Sequence, residues 1–384
     1  MKPFIFTSLC FLLFWLPIPL GSYRPWAIFL FGFATASLFL MHLTLALRNR
    51  KSLRPPSYSI WVLGPLAAVI GLLLIQLIPG LNSSHSSVLS SISIDPMQTK
   101  VTLVKTITLF LLSWLIFSYC KHADTLKKLC YAIVAGGLLQ ALYATYLNLN
   151  PEMMSPVFGY AYEKRAAGSF TYQNFLANYL ALCLSLGIGV LISQLSLTGS
   201  GQNIRDKARG LLTVILSSKM LLRASLILMI IALILTRSRM GNSALFMSLA
   251  AVSIFAFFFY NRKPKNLRIL IISFFIMDLI IVGALFGVDK VKERLLETSL
   301  QSETRDEVVR DSMPIIQDNF MFGTGGGSFY TTFPKYQPAP YSGYYDNAHN
   351  DYIQFAVEFG VPTTLMLGIL MLGALITALR TMIK

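Results

Sequence analysis

Residues 221–260 read LLRASLILMIIALILTRSRMGNSALFMSLAAVSIFAFFFY, two apolar runs folded around a turn that holds Arg237 and Arg239. A helix that crosses a bilayer needs about 20 largely apolar residues. The runs at 221–236 and 240–260 therefore read as a hairpin of membrane helices, the first extendable back to 217–220. Working outward, the same pattern recurs at 4–20, 26–46, 59–79, 102–120, 129–147, 170–195, 268–287 and 360–380. The fold class expected is an all-α polytopic membrane protein of about 10 transmembrane helices, with one large outer loop of short helices.

Composition supports this expectation. Hydrophobic residues make up 55% of the chain and charged residues only 13%, about half the charged share of a soluble domain. The net charge of +15 raises the question of nucleic acid, but its distribution answers it. With the N-terminus inside, most Lys and Arg fall in inner segments that hold only Asp124 and Asp206 as acids, while the outer side is near neutral. That asymmetry is the positive-inside rule, puts both termini in the cytoplasm, and excludes a need for nucleic acid. Cys10, Cys120, Cys130 and Cys183 lie in or beside apolar runs with no ligand spacing, and His42, His85, His122 and His349 are scattered. Neither a disulfide framework nor a metal cluster is expected. The apolar N-terminus after Lys2 is broken by Pro17 and Pro19 and has no clear small-x-small cleavage site. It reads as a retained span, with a cleaved signal peptide as the alternative.

The domains expected are a transmembrane bundle over 1–287, an outer loop over 288–348, and an interfacial segment plus last transmembrane helix over 349–384. A shorter outer segment, about 80–101, holds a polar Asn/Ser run around His85 and suits a short amphipathic helix lying on the membrane. In the main loop a charged helical stretch covers Asp289–Leu300. A second helix, roughly Glu303–Asp318, follows from the spacing of Val308, Val309, Ser312, Ile315 and Ile316.

Candidate chemistry gathers on the outer side. The stretch from Tyr345 to Gly360 is polar, places His349 between Asn347 and Asn350, and runs straight into the last span. Histidine titrates nearest neutral pH and is the default general acid or base; the alternative is an interfacial histidine bonded to a helix end. Arg237 and Arg239 sit at a membrane boundary, where a guanidinium needs solvation or a partner. They can clamp a membrane-borne phosphate or diphosphate in bidentate fashion, or snorkel to lipid headgroups. Lys164 and Arg165, just outside the sixth span, can serve headgroups or a substrate. Arg305 and Arg310 lie on the loop helix among Glu303, Asp306, Glu307 and Asp311, a pattern that also suits a solvated charged face. The run Gly323-Thr324-Gly325-Gly326-Gly327 can offer backbone N–H groups to an anion, but it lacks the ending of a phosphate-binding loop. Asp278 is the one acid deep in a span; it suits an ion pathway or a protonated packing role.

Together these residues resemble the O-antigen ligase and polymerase superfamily of bacterial envelope glycosyltransferases. Gly168-Ser169-Phe170-Thr171-Tyr172-Gln173-Asn174 resembles the family's G-x-F-x-x-x-N stretch, and Thr236-Arg237-Ser238-Arg239-Met240-Gly241 its T-x-S-R-G turn. Arg305 ahead of Gly323-Thr324-Gly325 resembles an Arg-led helix feeding a G-x-G turn. His349-Asn350, nine residues and then Gly360 resemble the ligases' His-Asn–x9–Gly pattern. The likeness covers about 160–370. Phe320 and Val309 stand where Pro and Trp are frequent, and relatives commonly carry more spans, which leaves open a further terminal hairpin.

The resemblance implies a GT-C-like fold in the bacterial inner membrane, with the 288–348 loop and the active site in the periplasm. It implies a glycan on undecaprenyl diphosphate as donor, inverting transfer to a hydroxyl, and neither a metal nor another cofactor. His349 would orient or deprotonate the acceptor, with Arg239, Arg305 and Arg237 holding the diphosphate. Arg165, Asn174, Asn350 and Tyr345 would complete the substrate site, with membrane lipids around it. The acceptor favoured is lipid A core. An O-antigen or exopolysaccharide polymerase and a protein O-oligosaccharyltransferase are the alternatives, and a membrane transporter is the alternative from another class. The Tyr-rich segment with Tyr330, Tyr336, Tyr341, Tyr344 and Tyr345 is expected to stack on sugar rings.

Overall fold

A computed structural model describes residues 2–48, 54–79, 92–159, 165–194, 218–259, 305–337 and 345–383. The described residues are helical and contain no strand. The helices in chain order are α1 (Lys2–Trp15), α2 (Pro25–Arg48), α3 (Ile60–Gln76), α4 (Pro96–Tyr119), α5 (Ala123–Leu149) and α6 (Gln173–Ser193). Then come α7 (Ser218–Leu235), α8 (Arg239–Phe259), α9 (Arg305–Asp318), the single turn α10 (Phe329–Thr332), α11 (Asp351–Phe359) and α12 (Val361–Ile383). The span expected at 268–287, with Asp278, lies outside the described residues. So do the 289–300 stretch, His85, Lys164, Tyr341 and Tyr344.

Among the described residues, six segments are long and apolar enough to cross a membrane: Pro25–Arg48, Ser57–Gln76, Pro96–Tyr119, Ala123–Leu149, Gln173–Ser193 and Val361–Met382. Lys2–Trp15 and Met220–Leu235 are shorter apolar helices. The first span ends earlier than its hydropathy suggests, because Pro17 and Pro19 cannot donate to a helical ladder. Its 14 residues rise about 21 Å. The fourth helix starts six residues ahead of the expected 102, at Pro96, where Asp95 Oδ1 accepts from Gln98 N.

The chain divides into two compact units. The first comprises Met1–Phe31, Tyr119–Arg294 and Arg380–Lys384. Its core is formed by α5, α6 and α7, with Leu176, Leu180, Leu184, Leu226, Met229 and Leu233 buried. Small residues allow close approach: a Cβ on Gly187 would lie 2.5 Å from Leu226 Cδ2, and one on Gly137 2.8 Å from both Cys183 Cβ and Met229 Sδ. Without a hydrophobic drive between helices in lipid, such small-residue seams are what let spans pack.

The second unit comprises Gly32–Ser118 and Leu295–Leu379. It contains a core unlike that of a membrane bundle. Val308 and Ile315 of α9, Phe329, Phe333, Ala348 and Val357 bury one another, with Tyr336, Tyr345 and Ile353 against them. The helix expected over Glu303–Asp318 is thus α9, and its apolar face packs as the spacing implies.

Candidate functional site

In the first unit, the turn between α7 and α8 sorts its side chains by alternation. Thr236 and Ser238 are buried, and Arg237 and Arg239 are exposed. Thr236 Oγ1 accepts from Ser238 N at 3.2 Å. Ser238 Oγ accepts from Gly241 N at 3.3 Å, so Ser238 caps the start of α8. The pattern Thr-Arg-Ser-Arg is therefore a pair of inward hydroxyls that aim two guanidiniums outward.

Both arginines are held at a cost. Arg237 adopts the left-handed region, φ 52°, which costs an L-residue about 1–2 kcal/mol. Arg239 is the first residue of α8, where the positive end of the helix dipole disfavours a cation. No described carboxylate pairs with either residue. Ala166 N donates to Leu235 O at 3.2 Å, which sets exposed Arg165 beside this turn. A Cβ on Gly241 would lie 2.6 Å from Ala177 Cβ, so the opening turns of α6 and α8 touch, with half-buried Asn174 in the first turn of α6. The structure thus gathers Arg165, Asn174, Arg237 and Arg239 at two adjacent helix N-termini, an arrangement suited to an anion. The approach of 165–168 is fixed by a buried node: Gln140 Oε1 accepts from Ser169 N, and Ser169 Oγ, 3.0 Å from that oxygen, donates to Pro17 O.

In the second unit, the His349 turn is built from the helix that follows it. Asn350 Oδ1 accepts from Tyr352 N and Ile353 N, making it the N-cap of α11. Gly360, φ 79°, ends that helix, and a Cβ there would lie 2.5 Å from Met321 O. The nine residues between Asn350 and Gly360 are therefore one short helix between its two caps. Capping engages the Oδ1 of Asn350, a residue that the resemblance assigns to the substrate site. His349, exposed, sits at φ 51°, with the Tyr345 ring edge-on at 6.2 Å. Tyr345 is half-buried against Phe333, and Tyr336 donates to Asp318 Oδ2. Of the described tyrosines in the segment, Tyr330 is the exposed one.

The backbone of Arg305 opens α9, one turn before Val308, which shares a core with Ala348 beside His349; its side chain lies outside the description. Arg310 pairs with Asp311 at 2.9 Å, as a charged face would. The glycine run holds no open anion nest. Thr324 N donates to Val357 O, Gly325 N to Glu358 O, Gly326 N to Gln76 Oε1 and Gly327 N to Glu358 Oε2.

Sequence inspection passed over Gln76, Gln354 and Glu358. Gln76 is fully buried and also donates to Phe322 O and Glu358 O. Glu358 is buried, and desolvation raises its carboxyl above the ordinary range, against the lowering effect of the Gly327 and Gln354 bonds. A signal was present: Asn350, Gln354 and Glu358 recur every four residues, a polar stripe on a helix whose other face is apolar.

Residues 224–368 match the family model described as O-Antigen ligase. No curated protein and no solved structure matched the chain. The matched stretch, which includes Arg237, Arg239, Arg305 and His349, is similar to that family over 145 of the chain's 384 residues.

Proposed function

We propose that this protein is an O-antigen ligase-type glycosyltransferase, moving a glycan from undecaprenyl diphosphate to a hydroxyl of lipid A core at the periplasmic face of the inner membrane. The observation that carries it is the outward pair Arg237 and Arg239 at the N-terminus of α8, beside Arg165. Cations kept at a helix N-terminus, one of them in a strained backbone conformation, are explained by an anion that binds there. A lipid diphosphate is such an anion.

In the reaction the acceptor oxygen bonds to the anomeric carbon as that carbon's bond to the diphosphate oxygen breaks, with inversion. The acceptor proton passes to the imidazole of His349. The electron pair leaves with the diphosphate, whose growing charge Arg239, Arg237 and Arg305 stabilise. Arg165 and Asn174 hold the donor before transfer.

A deletion strain examined by gel for surface polysaccharide tests the acceptor. The proposal expects lipid A without polymer and lipid-linked chains accumulating. A single repeat left on lipid A identifies a polymerase instead. Unchanged lipopolysaccharide with an unmodified glycoprotein identifies a protein O-oligosaccharyltransferase. Flux into vesicles that survives His349→Ala but fails in Asp278→Asn identifies a transporter.

A further inference from the structure

We infer that Gln354 and Glu358 are positioning residues for His349, forming with Asn347 a hydrogen-bonded chain along α11 that holds the 347–350 turn with His349 in the left-handed region. The inference rests on the proposed role of His349 in transfer.

Gln354 has every polar group engaged around this turn. Its Nε2 donates to Asn347 Oδ1 at 3.1 Å and to Glu358 Oε1 at 3.1 Å. Its Oε1 accepts from Ala348 N at 3.3 Å. The amide can point only one way: the Ala348 N–H can only donate, so the oxygen must face it and the nitrogen must face the two acceptors. Glu358 fixes that nitrogen from below, while its second oxygen accepts from Gly327 N at 2.8 Å. With both oxygens engaged and the side chain buried, Glu358 acts through Gln354 and not on a substrate.

The turn is thereby pinned on both sides of His349. Before it, the Ala348 methyl group is buried against Val308, Phe329 and Val357, and its N–H is held by Gln354. After it, Asn350 is fixed as the cap of α11. His349 is left between the two anchors at φ 51°, a conformation that a bulky residue keeps only when its surroundings over-determine it. Glu358 also joins this turn to the glycine run, since one carboxylate serves Gln354 and Gly327.

The test uses the full chain reconstituted in liposomes. The donor is the polyprenyl-diphosphate-linked glycan extracted from the deletion strain, the acceptor is the host's lipid A core, and rates are normalised to folded protein. Gln354→Met keeps the volume and removes the bonds; kcat should fall roughly tenfold or more, with KM for the donor within about twofold. Glu358→Gln sets two amide nitrogens against each other and should lower kcat likewise. The reciprocal exchange, Gln354→Glu with Glu358→Gln, restores an acceptor for Ala348 N–H and a donor between the two side chains. It should recover kcat to within about threefold of wild type. Asn347→Ala, at an exposed position that leaves the core untouched, should give a milder loss of about threefold.

Wild-type kcat in Gln354→Met and Asn347→Ala would overturn the inference and leave the proposed function standing. So would a reciprocal exchange no better than its single parents. A Gln354→Met loss that adds in full to that of His349→Asn would overturn it as well, since a residue acting through His349 has nothing left to position once the imidazole is gone. Wild-type transfer by His349→Asn would instead overturn the role of His349 itself.

Discussion

At the residue scale, four non-glycine residues among those described have positive φ, and Arg237 and His349 are two of them. Strain at a charged or titratable side chain is a mark of a working position. For Arg239, lysine supplies a point charge but not a planar fork. Arg239→Lys should cost transfer roughly tenfold or more, in line with one lost charge-assisted bond, at unchanged protein level. Transfer within twofold of wild type would remove the bidentate clamp. Glu358 gives a pH prediction. Burial raises its folded-state pKa above the ordinary carboxyl value of 4.5. Between the unfolded and folded pKa values the folded state binds more protons, so stability is full below the ordinary value and falls as pH rises through the raised one. A thermal midpoint followed upward from pH 4.5 should decline in wild type and decline less in Glu358→Gln. Equal slopes would show that this carboxyl is not desolvated.

At the element scale, the short helix α11 and the glycine turn explain sequence patterns that look like motifs without mechanism. The spacing from Asn350 to Gly360 measures one capped helix. Gly323, Gly325 and Gly327 have positive φ, and Gly325 leaves no room beside Ser93 and Thr99. Gly325→Ala should destabilise the protein by about 1–3 kcal/mol from backbone strain alone, with the steric conflict in addition, read as a lowered thermal midpoint and poor membrane yield. Tolerance of that change would contradict the buried packing of the turn. What the sequence disclosed and what it hid follow from physical range. Apolar period and length placed α2 to α6 and α12, with starts as much as six residues off at α4 and α5, because a membrane span is a local property. Arg237, Arg239 and His349 stood out because cationic and titratable side chains are scarce at the edges of apolar spans. Gln76, Gln354 and Glu358 did not, because their meaning lies in partners such as Phe322 and Gly327, and in the backbone of 348, which only folding brings near. The glycine run misled for the same reason: its N–H groups have distant acceptors at Val357, Glu358 and Gln76.

At the scale of the whole molecule, the account requires both termini inside and the 288–348 loop outside. A reporter active only in the periplasm should work when fused after Tyr330 and fail after Pro264, and the reverse would move the proposed site to the wrong face. The central claim is that His349 carries the acceptor proton in glycosyl transfer from a lipid diphosphate. The most direct measurement is transfer by purified, reconstituted protein, comparing wild type with His349→Asn. Asparagine tolerates the left-handed conformation, so the turn survives and only the imidazole is lost. The account predicts polymer on lipid A core from the wild type and a loss of transfer of at least about 100-fold in the variant, at equal thermal stability. Transfer by the variant at the wild-type rate would contradict it.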